Sequence, residues 1–442
     1  MLSKEANERL TQVGPGTPMG ELMRRYWIPA RPFAQLLDEE VLKVRLLGED
    51  LVLFKTTTGA LGLIDPRCPH RQTGMEFGIP DADGLRCCYH GWLTAPNGDC
   101  LDTPLEATGS TFKDKIKVLA YPVQEMGGLV WAYMGPGEPP LLPPWDLFVL
   151  PNSIRQIGIT EIPCNWLQCH ENTGDPAHSV WLHGELFKYV LKKKGELGDR
   201  ASDKQMHTLY GRIESGVGIE SIYAQPTQFG MEKGMTYAKA LGAKEDKTSR
   251  HSTVIFPIIT QVGGAGSVRH EFQIRVPVDD THTYHIAYGC YSAPDSVPVP
   301  TQEIIPWYIT PSRDENGKPI LDYVLAQDAI AWSSQGPVTD RSKEKLGRTD
   351  TPIILLRRQF EQQIRVVEDG GEPMNVFRDA GAMPEIMHGG HWDENEWVER
   401  GGIGGFREAY HKGYGIDDGD RYGPMMPQII DMMQAIDDVR TT

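Results

Sequence analysis

The chain is 442 residues long, with 40% apolar residues, ten tryptophans and a formal net charge of −16. That length exceeds one ordinary core, so two domains are expected. The charge argues against nucleic acid and anionic membrane surfaces as partners, and no run of eighteen apolar residues offers a membrane span. The opening stretch, MLSKEANERLTQVGPG, has no apolar core of signal-peptide type, and the seven cysteines are an odd number. Both fit a reducing cytoplasm better than an exported disulfide scaffold. Leu10, Met19, Leu22, Met23 and Tyr26 predict short helices that pack on the body over residues 1–26.

From Trp27 the pattern turns to strand. Residues 41–47, 51–55 and 61–65 alternate or run apolar between Gly48-Glu49-Asp50 and Thr58-Gly59 turns. Asn97-Gly98 is a hairpin signal, and 116–123 and 128–134 add strands, so 27–140 reads as a small antiparallel β domain. GPGEPPLLPPWD, 135–146, reads as a linker, because Pro and Gly resist both helix and sheet. Strands are expected at 157–162, 218–224, 252–259, 268–278 and 283–291, and helices at 321–334 and 353–367. Charged 185–205 reads as an exposed loop, and the Gly-rich tail, 373–442, as a loop-rich extension. The fold class is therefore α+β, with a second antiparallel sheet flanked by helices over 141–372.

Two stretches carry chemistry. RCPHRQTGMEFGIPDADGLRCCYHGW, 67–92, holds Cys68-Pro69-His70 and Cys87-Cys88-Tyr89-His90, with sixteen residues between His70 and Cys87. Each loop offers one sulfur and one nitrogen. Two Cys and two His suit tetrahedral zinc or a Rieske-type [2Fe-2S] cluster, where one iron takes both Cys and the other both His. Zinc sites of this ligand set usually group like ligands together. Here each loop carries one of each and can reach both ends of a two-metal cluster, so the cluster is favoured. Gly91-Trp92 allows a tight turn and a cover against water. Cys88 reads as a packed, non-ligating thiol.

The second stretch is NWLQCHENTGDPAHSVWLH, 165–183, with Asp175, His178 and His183 at its core. Two His and a carboxylate on one face, with open positions left over, suit a mononuclear Fe(II) that activates dioxygen. His183 lies about 140° round an ideal helix from His178, so the helix must bend or end there. Asp175 is either the third ligand or the acceptor of the His178 N–H that fixes its tautomer, the second being favoured. The carboxylate would then come from Asp322, Asp328, Asp340, Glu344 or Asp350. Asp328 is favoured, because a lone acid in the apolar helix VLAQDAIAWSSQG needs a partner. His170, His207 and His251 read as ordinary polar histidines, Cys164 and Cys169 as core thiols, and Lys244, Lys247 and Arg250 as solvated surface. Asn172 reads as an iron-pocket or local hydrogen-bonding residue.

These motifs resemble the α-subunits of Rieske non-haem iron ring-hydroxylating oxygenases, cluster domain first and iron domain after. Gln335-Gly336-Pro337, Asp340-Arg341 and Leu346-Gly347 ahead of Arg357-Arg358 resemble the phthalate dioxygenase branch. The resemblance implies a helix-grip-like catalytic domain. It implies Cys68, His70, Cys87 and His90 as cluster ligands, His178, His183 and Asp328 at iron, and Asp175 bridging the two centres. Many relatives carry a Glu five residues past the iron Asp; here Ser333 stands there. It further implies a homotrimer, in some members stacked into a hexamer, whose subunits pair one copy's cluster with the next copy's iron. A flavin and iron–sulfur reductase using NAD(P)H would supply electrons.

The activity implied is hydroxylation of an aromatic carboxylate of phthalate type with O2, dihydroxylation being the first choice. The alternative is a monooxygenase or O-dealkylase of an aryl ether or substituted benzoate; a more distant one is an electron carrier without oxygenase activity. A zinc-stabilised scaffold is the reading from outside the family. An acid substrate calls for a basic pocket group, with His207, Lys244 and Arg250 as unranked candidates.

Overall fold

The computed structural model describes residues 2–195, 219–237, 250–262, 269–383, 397–398, 402–404 and 419–441. His207, Lys244 and Lys247 lie outside them; Arg250 opens a strand, but its side chain is outside the description.

The amino-terminal β unit has three small antiparallel sheets. Val41–Leu46, Glu49–Lys55 and Leu61–Ile64, close to the expected strands, form one with Ala120–Tyr121, to which the strand expected over 116–123 is reduced. A second is a meander of very short strands, Ile79–Pro80, Leu85–Arg86, Leu93–Thr94 and Cys100–Asp102, and it carries the Cys/His loops. Trp27–Pro32, Leu129–Tyr133 and Val123–Met126 make the third. Hairpin glycines fall where the turns demand them: Gly98 has φ +87°, a conformation that an L side chain resists.

The larger unit is an eight-stranded sheet in the order Ile219–Thr227, Gly230–Tyr237, Arg250–Ile255, Ile259–Val262, Arg269–Asp279, His282–Ser292, Ser153–Ile162, Trp307–Ile309. Neighbours are antiparallel except the last pair. The two longest strands, Arg269–Asp279 and His282–Ser292, lie side by side at its centre. One face, with Phe272, Ile274, Ile286 and Tyr288, packs toward the first unit: Phe148 meets Tyr288 edge-on at 4.9 Å and Trp131 meets Phe148 at 5.3 Å. The two units thus share one continuous apolar core. The other face carries the helices with the second motif.

Three expectations are revised. Residues 185–205 are not simply an exposed loop. Leu186–Lys194 is helical, because Phe187 and Leu191, four apart, share a buried face. The tail carries a 16-residue helix, Met426–Thr441, whose Ile429, Met433 and Ile436 form an apolar cluster with Tyr323 and Tyr422. Cys88 is exposed rather than packed.

Candidate metal centres

The two Cys/His loops are close copies of one another. Cys68 N–H donates to Thr73 O and Gln72 N–H to Cys68 O; Cys87 N–H donates to Trp92 O and Gly91 N–H to Cys87 O. Each closes through one left-handed residue, Gln72 at φ +62° and Gly91 at φ +74°. The Arg86 guanidinium pins the second loop, donating to Gly91 O at 2.7 Å and to Asp102 and Asp81 at 2.9 Å. The loops meet with the sulfurs inside and the imidazoles outside. Cys68 and Cys87 are buried, while His70 is exposed and His90 half-buried. The His70 and His90 rings lie 4.5 Å apart, and His70 stacks on Trp92 at 4.5 Å. Burial pushes the Cys68 thiol up to about 11, with Cys87 adding to the rise against backbone N–H donors. Burial thus favours the protonated thiol, and binding a metal would release that proton. Paired buried sulfurs and paired outer nitrogens match a cluster with one sulfur end and one nitrogen end.

The second motif begins with a capped helix: the Asn165 side chain accepts from Leu167 N–H, starting Trp166–Glu171. Glu171 is the hub of a buried ion network. Arg341 Nη2 donates to it at 2.7 Å and Arg357 Nε at 2.5 Å, and Arg357 also clamps Glu344 at 2.8 and 2.9 Å. Burial pulls the Glu171 carboxyl upward, but the two guanidinium groups outweigh it and hold it below its ordinary range. Asn7 ties the first helix to the same network, accepting from Arg341 Nη1 at 3.0 Å.

A short helical turn at His178–Val180 widens over Trp181–Glu185 to hydrogen bonds that span five residues. That extra residue per turn answers the spacing problem: residues five apart share a face on a wide turn. The His178 and His183 rings lie 5.1 Å apart. Asp328 reaches them from Val324–Ser333, with Oδ1 3.3 Å from His183 Nε2 and 3.8 Å from His178 Nε2. It is 4% exposed. One donor atom from each of the three lies within 4.8 Å of the others, which fits a single ion held on one face. Burial alone would raise Asp328; His183, His178 and Arg275 keep it below the carboxylate range. Burial lowers His178 despite the pull of Asp328, favouring the neutral imidazole that ligates metal.

Asp175 differs from expectation in detail. The His178 Nδ1 bond is made by the Asp175 backbone carbonyl. The carboxylate Oδ1 instead accepts from Ala177 N–H at 2.9 Å and His178 N–H at 3.3 Å, while Oδ2 stands 3.9 Å from the ring. Capping uses one oxygen and leaves the other without a hydrogen bond to the ring. Gln327 was missed by the sequence reading. The Gln327 Nε2 donates to Leu321 O at 2.7 Å, so its Oε1 accepts from His183 Nδ1–H at 2.8 Å, which leaves the Nε2 of His183 facing Asp328. Asn172 Nδ2 donates to Asp328 Oδ1 at 3.4 Å. His170 is buried between Trp166 and Phe360 without a hydrogen-bond partner among the described residues. Cys164 and Cys169 are core thiols 3.5 Å apart.

Twin Cys/His loops and a His/His/Asp face fit a [2Fe-2S] cluster and a single iron, and comparison with known proteins supplies the class. Residues 26–121 match the Rieske [2Fe-2S] domain. The chain is 38% identical over 386 residues to the 5,5'-dehydrodivanillate O-demethylase oxygenase subunit of Sphingobium sp. strain SYK-6, covering 86% of this chain and 84% of that one. It is 31% identical to the phthalate 4,5-dioxygenase oxygenase subunit of Pseudomonas putida, covering 84% and 88% of the two. The terminal oxygenase of carbazole 1,9a-dioxygenase from Novosphingobium sp. KA1 shares the fold, with a TM-score of 0.55 at 19% identity, over 85% of this chain and all of that one. The chain belongs to the oxygenase subunits of the Rieske non-haem iron oxygenases. It is an enzyme that uses a [2Fe-2S] cluster and a mononuclear iron. No described helix is long and apolar enough to cross a membrane.

Proposed function

We propose that the protein hydroxylates the methoxy group of a methoxylated aromatic carboxylate, releasing the phenol and formaldehyde. The observation that carries this reading is the similarity, across 86% of the chain, to a relative named as an O-demethylase of an aromatic acid. Demethylation, the alternative in the sequence reading, is thereby preferred over dihydroxylation. In balance, ArOCH3, O2, two electrons and two protons give ArOCH2OH and water, and the hemiacetal then parts into ArOH and formaldehyde. An NAD(P)H-dependent flavin and iron–sulfur reductase supplies the electrons.

We assign the cluster to Cys68, His70, Cys87 and His90 within 27–140, and the mononuclear iron to His178, His183 and Asp328 within 141–372. When bound, the cluster stores single electrons and the ferrous ion activates dioxygen. The chain's own groups do the rest. Gln327 and the Asp175 carbonyl hold the two imidazoles in the tautomer whose Nε2 faces the metal. Asp328 supplies the single negative charge and is screened from water by burial. Large apolar side chains lie open near both centres: Tyr89 (55% exposed) and Phe77 by the loops, and Trp181 (72%) on the wide turn. They support a homotrimer in which His70 and His90 of one copy face Asp175 of the next.

The test is reconstitution with iron under anaerobic conditions, a reductase, NADH and O2, with 5,5'-dehydrodivanillate and phthalate as substrates. Formaldehyde equal to the phenol formed is expected. A cis-dihydrodiol without formaldehyde replaces demethylation by dioxygenation. Metal analysis should find iron in excess of sulfide; equal amounts would remove the oxygenase iron.

A further inference from the structure

The strand Arg269–Asp279 carries a polar ladder on the face turned to the iron helices. Arg269 Nη2 donates to Glu271 at 2.6 Å, Gln273 Nε2 donates to Glu271 at 2.7 Å, and Arg275 Nη2 donates to Gln273 at 2.6 Å. Residues two apart on a strand share a face, so this is one continuous strip. Its last member is anomalous. Arg275 is 1% exposed, yet its Nε and Nη1 have no hydrogen-bond partner among the described residues, and no carboxylate there forms an ion pair with it. Its charge is offset only through space, by Asp328 and Glu271, so what is left over is the pair of buried N–H groups without an acceptor.

Its surroundings say what is missing. Arg275 lies over the Trp332 ring, 5.2 Å from the centroid. Trp332 is four residues past Asp328 on the same helix and so on the same side. His285 stands directly opposite Arg275 on the next strand, buried, with its Nε2 also unpartnered. Gln273 faces Ala287, and Glu271 faces Gly289, so the cross-strand positions beyond His285 are small. Two unspent polar side chains thus converge beside the His/His/Asp face. Burial lowers Arg275 to about 10, which leaves it charged at neutral pH.

We propose that Arg275, with His285 beside it, is the anion anchor of the substrate pocket and takes the carboxylate of an aromatic acid. This rests on the aromatic-acid reading above, and deepens it by naming the group that selects the acid. Trp332 already satisfies the cation's flat face, so the carboxylate meets the unpaired N–H groups at its edge. The neutral His285 ring adds a second contact through Nε2. With the carboxylate held at this end of the strip, the far end of the ring lies toward the iron ligands.

The test compares binding, measured calorimetrically on the iron-loaded, cluster-containing protein without reductase. The probes are 5,5'-dehydrodivanillate, phthalate and 3-methoxybenzoate, and the primary amide of whichever acid binds most tightly. Wild type should bind that acid at least tenfold more tightly than its amide. Arg275→Gln should weaken the acid about 100-fold and leave the amide within about threefold, while Arg275→Lys recovers part of the loss. Unchanged iron content and visible spectrum certify the folded variant. Equal binding of acid and amide by wild type overturns the anchor without any variant; so does wild type that binds none of the acids, or an Arg275→Gln loss that falls equally on acid and amide. Acid binding with the expected Arg275 dependence but no oxidised product on adding reductase and O2 overturns the demethylation reading instead.

Discussion

The two regions proposed to hold metal place their imidazoles in opposite surroundings. In the loop region, His70 is exposed and rests on Trp92. In the helical region, His178 and His183 are mostly enclosed, and backbone and side-chain acceptors fix both rings. A centre that only trades electrons needs an accessible rim, whereas one that activates oxygen needs its unproductive proton and water traffic suppressed. The supports differ accordingly. The loops are built from backbone hydrogen bonds within a few residues, so the site is local. The iron face draws on a helix, a wide turn and a second helix about 150 residues away, so it depends on the whole larger unit.

That contrast predicts separable losses, and the largest comes from the ligands. Asp328→Ala or His183→Ala should abolish the mononuclear iron and reduce turnover to background while the brown cluster spectrum stays. Cys87→Ser should remove the colour and keep the other iron. Iron, sulfide and absorbance measurements decide it; a variant that loses both groups would break the separation.

The next effect tests how far the iron region leans on its ion network. Glu171→Gln leaves the buried Arg341 guanidinium without a carboxylate, while Arg357 keeps Glu344, and should cost about 3–5 kcal/mol, seen as a lower urea midpoint at pH 7. The folded-state pKa of Glu171 is depressed, so its stabilisation is present above the unfolded value of about 4.3 and is lost as pH falls through the folded one. The gap between wild type and variant should therefore shrink below about pH 4.

The smallest effect sharpens the comparison at one hydrogen bond. Gln327→Leu frees the His183 ring and should weaken iron about 10–100-fold in chelator competition, with the cluster unaffected.

How much of this the sequence shows depends on the range of each interaction. The loop region was readable nearly whole, because ligands and turn glycine sit within 26 residues. His178 and His183 were readable as a pair, and the five-residue spacing signalled an irregular helix without revealing the widened turn. Asp328 stood out as a lone acid among apolar neighbours. Gln327 gave no such sign, since its contact with His183 spans 144 positions. Arg275 had one: R-x-E-x-Q-x-R over 269–275 is a period-two polar pattern in a strand otherwise buried. The expected basic groups were sought in charged turns, where solvation makes cations cheap, rather than in the sheet, where an unpaired one stands out.

The ties made by Asn7 have a practical corollary. Arg341 gives one amino group to Asn7, Asn7 returns a hydrogen bond to Thr339, and Asn165, which starts the helix leading to the iron histidines, donates to Thr11 at 2.9 Å. The leading dozen residues thus act as a clasp on a centre more than 160 positions downstream. Trimming them during expression, or fusing a bulky handle that pries them away, would present itself as poor iron retention, and the culprit would be sought in the wrong half of the polypeptide.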